Sequence, residues 1–515
     1  MEQFIAKIAS INGVVNSTVW GLPGLILLIG TGILLTLGTK IFQVTRVSHW
    51  WKSTIASVFK KDSTATHNED KKAISQFQAL CAALAATVGT GNIAGVAAAI
   101  VTGGPGAVFW MWIAAFFGMM TKFSENLLGI YYRRRNKDGE WSGGPMYYLK
   151  NGLGEHYGKK WLKPVSSVLA GLFAGFAILA SFGIGNMAQV NKIVLNMEAA
   201  FFSNVSLGVV PGTQISVIHL LLGAALLVIG ALVIIGGLQR IAKVTEIVVP
   251  FMAIAYIIGA AIIFGLNISN VGAMFTAIFK FAFQPAAFLG GGIGVLIKTT
   301  MTQGFKRGVF SNEAGLGSSV LVHSSSNVKE PVKQGLWGIF EVFFDTFVIC
   351  TMTAVVVLST GFVDLSTGAP VAGANGDTLV SQAFGQCFGA PGTWFVAIAI
   401  LFFALTTVLG WSQYGAKAVE YLFGTKGVKV YRFIFVAMII SGAIMEGGLA
   451  WDLSDTFNGL MMIPNLIGVV ALLPLVLKIT QNYVDRKIKG KDVAPILSYD
   501  NAIQKEMEAS LADED

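Results

Sequence analysis

The 515-residue chain is short of charge. Asp, Glu, Lys and Arg make up only 12% of it, about half the roughly 25% of an ordinary soluble domain. A soluble protein of this length needs a much larger charged surface, so that class is excluded, as are disordered and coiled-coil chains. Cysteines number three, Cys81, Cys350 and Cys387, with no CxxC spacing, which supports neither a disulfide framework nor a zinc site. The five histidines are scattered and form no HExxH motif. No phosphate-binding loop is present, which argues against ATP-driven chemistry. No Ser–His or paired-Asp arrangement marks an enzyme, and Glu341 with Asp345 is only an i,i+4 acidic pair. Neither an enzymatic activity nor an organic cofactor is expected.

Apolar sequence is abundant: 54% of residues are hydrophobic, 60 are glycine, and the mean hydropathy is +0.67. These values define an all-α polytopic membrane protein. Runs long enough to span a bilayer fall near 17–39, 74–101, 105–130, 164–198, 214–237, 244–266, 290–322, 335–361, 392–423, 430–446 and 456–480. The first lacks a basic leader and a small-residue cleavage site, so it reads as a retained helix.

The formal charge of +8 invites a nucleic-acid partner, but the basic residues sort to one side. Segments 40–72, 131–164, 238–243, 323–334, 415–432 and 478–515 hold 29 of the 36 Lys and Arg, whereas 200–213, 361–392 and 446–456 hold none. By the positive-inside rule the C-terminus is cytoplasmic and the N-terminus outside, in a plasma (inner) membrane, and no polyanion is needed. Arg133-Arg134-Arg135 reads as a topology anchor. The tail 481–515 reads as an interfacial helix fading into disorder.

Two spans carry a polar, glycine-bearing interruption near mid-depth: Thr87-Val88-Gly89-Thr90-Gly91-Asn92 in the second and Ser311-Asn312-Glu313-Ala314-Gly315 in the seventh. Backbone can leave the helix at that depth only where protein or a wet cavity satisfies it. The freed half-helix ends offer N–H groups to an anion and C=O groups to a cation. Gly-x-Gly alone is equally a close-packing motif. The two breaks, however, sit five spans apart, at the first position of each half. That arrangement marks an inverted-repeat transporter, with a first five-helix repeat over 73–266, a second over 267–480, and an extra helix and loop in 1–72.

Glu313 is an ionisable residue at mid-membrane and reads as a counter-charge for a substrate ammonium group. The structural alternative is an ion pair with Lys306 or Arg307. Thr406 and Thr407, set beside carbonyls freed by the other break, would form an all-oxygen cage suited to Na⁺. The alternative is that they bond back to their own helix. Trp411, one turn from Thr407, would restrict the ligand to a small side chain.

The run Gly103-Gly104-Pro105-Gly106-Ala107-Val108-Phe109-Trp110-Met111-Trp112-Ile113-Ala114-Ala115-Phe116-Phe117-Gly118 resembles the signature of the alanine/glycine:cation symporter family. Gly89-Thr90-Gly91-Asn92-Ile93-Ala94-Gly95, Gly143-Gly144-Pro145-Met146-Tyr147-Tyr148 and the stretch Arg307 to Gly317 match it too. The resemblance covers about Ser75 to Gln481. It implies a leucine-transporter-like fold, a five-plus-five inverted repeat with one extra N-terminal helix. It also implies Na⁺- or H⁺-coupled uptake of a small neutral amino acid, alanine or glycine. The amides of Thr90 and Gly91 would hold the substrate carboxylate. Asn312, Glu313, Ala314 and Gly315 would hold its ammonium, and Trp411 would wall the side-chain pocket. Carbonyls of Ala85 and Val88 with the hydroxyls of Thr406 and Thr407 would hold one Na⁺. Asn92 would support binding, and Phe182, Gly185 and Asn186 are candidates in the fourth span. A glutamine symporter of the same family, an ion channel and an intramembrane enzyme are the competing readings.

Overall fold

The structure, a computed structural model, describes the chain apart from Met1 and residues 61–64, 69, 71, 158, 285–292, 446–448 and 513–515. Among the described residues, seven helices are long and apolar enough to cross a membrane. They are Ala6–Gly38, Gly106–Tyr131, Leu162–Phe202, Val217–Ile234, Gly237–Leu266, Pro331–Ser359 and Ala390–Ile444. Two bent pairs raise the count to nine: Gln76–Thr87 with Gly91–Gly103, bent by 54°, and Asp452–Ala471 with Leu473–Ile488, bent by 60°.

The difference from eleven lies in two places. Ala390–Ile444 is one 55-residue run in which Gly424 (φ 73°, ψ −179°) leaves the helix. That conformation is open to glycine at no steric cost, and it falls between the expected spans 392–423 and 430–446. The helix Ile293–Asn312 carries Lys298, Lys306 and Arg307 and is not among those apolar enough to count. The expected start of this span at residue 290 lies outside the described residues.

Helices pack through small residues, as membrane interfaces require. Pro331–Val342 lies on Gly106–Tyr131 at Gly335 and Gly338, where an added Cβ would stand 2.7 Å from the Phe123 ring and from the Asn126 amide nitrogen. The outward faces are apolar instead. Leu232, Ile247 and Phe251 are all more than half exposed, a surface that lipid solvates and water would not. The N-terminal helices pack Trp20, Leu25 and Leu28 against Leu316, Met462 and Leu466.

Two sequence expectations are corrected. The C-terminal tail is docked, not frayed. Helix Asn501–Ala512 sets Met507 and Leu511 into a cluster with Leu497, Ala73 and Trp141. Arg133 does more than anchor topology. It is buried, its guanidinium lies 4.0 Å from the Trp141 ring centroid, and it donates to the carbonyls of Ser324 (3.3 Å) and Ser326 (2.6 Å). Charge is visible in Arg-Arg-Arg as a sequence, whereas the hairpin Arg134–Arg135 with Trp141–Ser142 that folds it inward is a tertiary feature.

Candidate functional site

Helix Gln76–Thr87 starts on a capping box. Ser75 Oγ accepts from the Gln78 amide (3.1 Å), and Gln78 Oε1 accepts from the Ser75 amide (3.0 Å). It ends at Val88, whose φ/ψ of −80°/88° is not helical. A wide turn over Gly91–Gly95 follows, and the helix resumes at Val96. Inside the break the Gly89 amide donates to Asn92 Oδ1 (2.9 Å).

The second break follows Asn312. Glu313 takes φ 55°, Gly315 φ 94° and Gly317 φ 73°, and a short helix Val320–His323 follows. The left-handed region is unfavourable for glutamate and costs on the order of 1–3 kcal/mol, a strain found at functional sites. Asn312 Oδ1 holds the turn by accepting from the Ala314 amide (2.9 Å).

The breaks meet. Asn92 Nδ2 donates to Ser311 Oγ (2.7 Å) and Asp345 Oδ1 (2.6 Å), and Ser311 Oγ donates to Asp345 Oδ2 (2.7 Å). Thr346 Oγ1 adds a third donor to the carboxylate, reaching Oδ2 at 2.9 Å, and Asn312 Nδ2 donates to that hydroxyl (3.0 Å). In sequence, Asp345 reads as no more than half of an acidic pair with Glu341. The π-helical stretch Phe343–Cys350 separates the two. Glu341 turns to Lys122 (3.4 Å) and His323 (3.0 Å), while Asp345 turns to the breaks. Lys122 is fully buried and also donates to Ser319 Oγ (2.8 Å).

A cavity of about 20 Å³ lies at the junction. Gly89, Gly91, Glu313, Thr407 and Trp411 line it, with Ala86, Thr87, Ile184, Gln189, Phe310 and Asn458. Such a volume holds about one water. The cavity is thus too small for an amino acid, and admitting one requires side chains such as Phe310 and Trp411 to part. Glycine is needed here for close approach: a Cβ on Gly89 would overlap Thr407 Oγ1, and one on Gly91 would stand 3.0 Å from the Phe310 ring.

Other expected site residues do not line the cavity. Thr90 Oγ1 donates to Gln189 Oε1 (3.0 Å). Gly315 faces Leu28 and Leu466, and its carbonyl accepts from Asn465 Nδ2 (2.8 Å). Ala314 packs on Gly118. Phe182 packs away from the site, on Tyr431 (5.3 Å) and Phe435 (6.1 Å). The π-turn Gly183–Met187 brings Ile184 to the cavity in its place. Gly185 backs Trp411 so closely that an added Cβ would overlap it, and Asn186 donates to the Phe435 carbonyl (2.6 Å).

Glu313 forms no ion pair among the described residues. Lys306 pairs instead with Asp455 (2.8 Å), and Ser318 Oγ donates to the Glu313 carboxylate. Thr406 and Thr407 both place their hydroxyls on the Phe403 carbonyl, at 3.0 and 2.9 Å. Thr406 also reaches Phe402 O (2.9 Å) and lies by Met252, while Thr407 faces Gly89. Ala85 and Val88 are fully buried at the end of the first half-helix. The 390–423 segment crosses that end, since a Cβ on Gly410 would be 2.7–2.9 Å from Ala86.

Two broken helices meeting at a small polar cavity inside an apolar bundle define a secondary transporter. The solved structure of MhsT in complex with L-phenylalanine superposes with a TM-score of 0.51 at 14% identity, covering 80% of this chain and 98% of that one, which gives the leucine-transporter fold. The model of the sodium:alanine symporter family matches residues 5–496, so the chain belongs to that family of multi-pass, sodium-coupled amino-acid transporters and is not an enzyme. Among its relatives is the sodium/alanine symporter AgcS of Methanococcus maripaludis, 42% identical over 490 residues, 94% of this chain and 99% of the relative. Another is the probable sodium/glutamine symporter GlnT of Bacillus subtilis, 35% identical over 494 residues, 96% and 93% of the two chains.

Proposed function

We propose that this chain takes up alanine or glycine together with Na⁺ by alternating access, in a plasma (inner) membrane with its C-terminus in the cytoplasm. The observation that carries this reading is the joint lining of one small cavity by Gly89 and Gly91 of the first break, Glu313 of the second and Trp411.

The substrate carboxylate would lie against the first break, where the glycines let a ligand approach the amides of Thr90 and Gly91. The ammonium would lie against Glu313, which the left-handed turn aims inward while Asn312, Ala314 and Gly315 shape that turn. Trp411, Ile184 and Phe310 line the same cavity and would wall the substrate side chain, which favours a small one. Asn92 holds both breaks in place.

The ion would lie between the end of the first half-helix, held there by the carbonyls of Ala85 and Val88, and the hydroxyls of Thr406 and Thr407, since Gly89 faces Thr407 and Gly410 faces Ala86. Neutral and hard oxygen donors suit a monovalent hard cation. With the ion between the first half-helix and the 390–423 segment, the outward-open state is stabilised. Zwitterion binding then closes the cavity, and only the doubly loaded protein reopens inward.

Uptake into proteoliposomes, with Na⁺ and pH varied independently and amino acids competing, tests this. Alanine uptake that needs a Na⁺ gradient is the expected result. Equal uptake without Na⁺ but with a proton gradient would reassign the coupling ion, and stronger competition by glutamine than by alanine would reassign the substrate.

A further inference from the structure

A second cavity, of about 560 Å³, opens on the Lys- and Arg-rich face, between the 134–142 hairpin and the helix break at Gly424. Its basic lining is Arg134, Arg135, Lys137 and Lys426, against one carboxylate, Glu420. That carboxylate is already engaged by Lys417 (3.2 Å), Asn136 Nδ2 (3.1 Å) and Ser142. Arg135 is neutralised by Asp70 (3.0 Å) and Glu506 (3.5 Å). Arg134, Lys137 and Lys426 form no ion pair among the described residues, and all three are exposed. Arg134 lies over the Tyr147 ring (4.8 Å), but none of the three meets a carboxylate among the described residues, and like charges around one cleft favour an anion there.

The rim indicates what carries that anion. Phe423, at the lip, is 69% exposed, and Val430 and Phe433, on the helix after Gly424, are exposed as well. A basic cleft with an exposed aromatic lip suits a ligand with a phosphate at one end and acyl chains at the other. We propose that this cleft holds the headgroup of one anionic phospholipid from the surrounding bilayer, its phosphate between Arg134, Lys137 and Lys426 and its chains along Phe423. A free phosphate shares the first feature only.

The full-length protein, delipidated in neutral detergent, is titrated with phosphatidylglycerol, phosphatidylcholine or inorganic phosphate. Bound lipid is counted by native mass spectrometry. Wild type should hold one phosphatidylglycerol that Lys137→Gln/Lys426→Gln binds at least about tenfold more weakly. Lys159→Gln/Lys160→Gln, also exposed, should match wild type. Arg134→Gln should weaken binding as the lysine pair does, and uptake by each variant reports its folding. Undiminished phosphatidylglycerol binding in the Lys137/Lys426 variant overturns the proposal. So does equal loss in the control pair, or inorganic phosphate binding as tightly as the lipid.

Discussion

The side-chain amide of Asn92 lies 2.6 Å from Asp345 Oδ1 and 2.7 Å from Ser311 Oγ, so one nitrogen ties the first chain break to the second and to the 331–359 span. Asn92→Ala removes both bonds and leaves the Asp345 carboxylate short of a donor in the interior, at a cost of about 1–3 kcal/mol. The variant should melt several degrees lower in a detergent thermal-shift assay and lose most uptake. Asn92→Asp, which sets two carboxyl groups face to face, should fare no better.

Glu313 is held in a left-handed backbone and is one of the residues that line the cavity. Glu313→Gln keeps the shape and removes the charge. Substrate affinity should fall about 10- to 100-fold, the range of a lost charge-assisted hydrogen bond. Scintillation proximity binding of radiolabelled alanine measures this directly, and wild-type affinity would end the assignment of the ammonium to this residue.

Trp411 walls the cavity and is backed by Gly185. Trp411→Ala should widen the side-chain pocket. In a competition panel, leucine or glutamine should gain on alanine by at least about tenfold, the low end of what a single methylene of pocket volume is worth. An unchanged ranking would place selectivity elsewhere in the lining, at Ile184 or Phe310.

The Thr407 hydroxyl faces the first break, while that of Thr406 is divided between two carbonyls. Thr407→Val should therefore raise the Na⁺ concentration for half-maximal uptake more than Thr406→Val does, by about tenfold, with Thr407→Ser close to wild type. Na⁺ and alanine should each tighten the other by the same factor, because the coupling free energy is shared. Titrating each ligand at fixed levels of the other checks that equality.

The breaks are legible in the sequence because neither lipid contact nor close packing calls for glycine, threonine and a glutamate together inside an apolar run. Residues whose role depends on rotation about a helix are not. Phe182 is a binding candidate through the family resemblance, but the π-turn at Gly183–Met187 follows it, and Ile184 lines the cavity. Gln189 and Asn458 read as ordinary polar residues of a span, yet both reach the cavity. Asp345 is hidden by its spacing from Glu341, since an α-helix would put both on one face. The wide turn from Phe343 sends them to different partners. The tail misleads for a related reason: charged surface is visible in its composition, but Met507 and Leu511 make their apolar contact with Trp141, hundreds of residues earlier in the chain.

Lys122 bears on how the molecule is made. Its described partners are Ser319 and Glu341, both about 200 residues further along the chain. When the 106–131 helix leaves the ribosome, neither exists. Until then its nearest counter-charge is Glu125, one turn on in the same helix. A lysine at mid-helix adds about 2.5–3.5 kcal/mol to the cost of insertion on translocon scales, and the carboxyl-terminal half relieves that cost only when it emerges with Ser319 and Glu341.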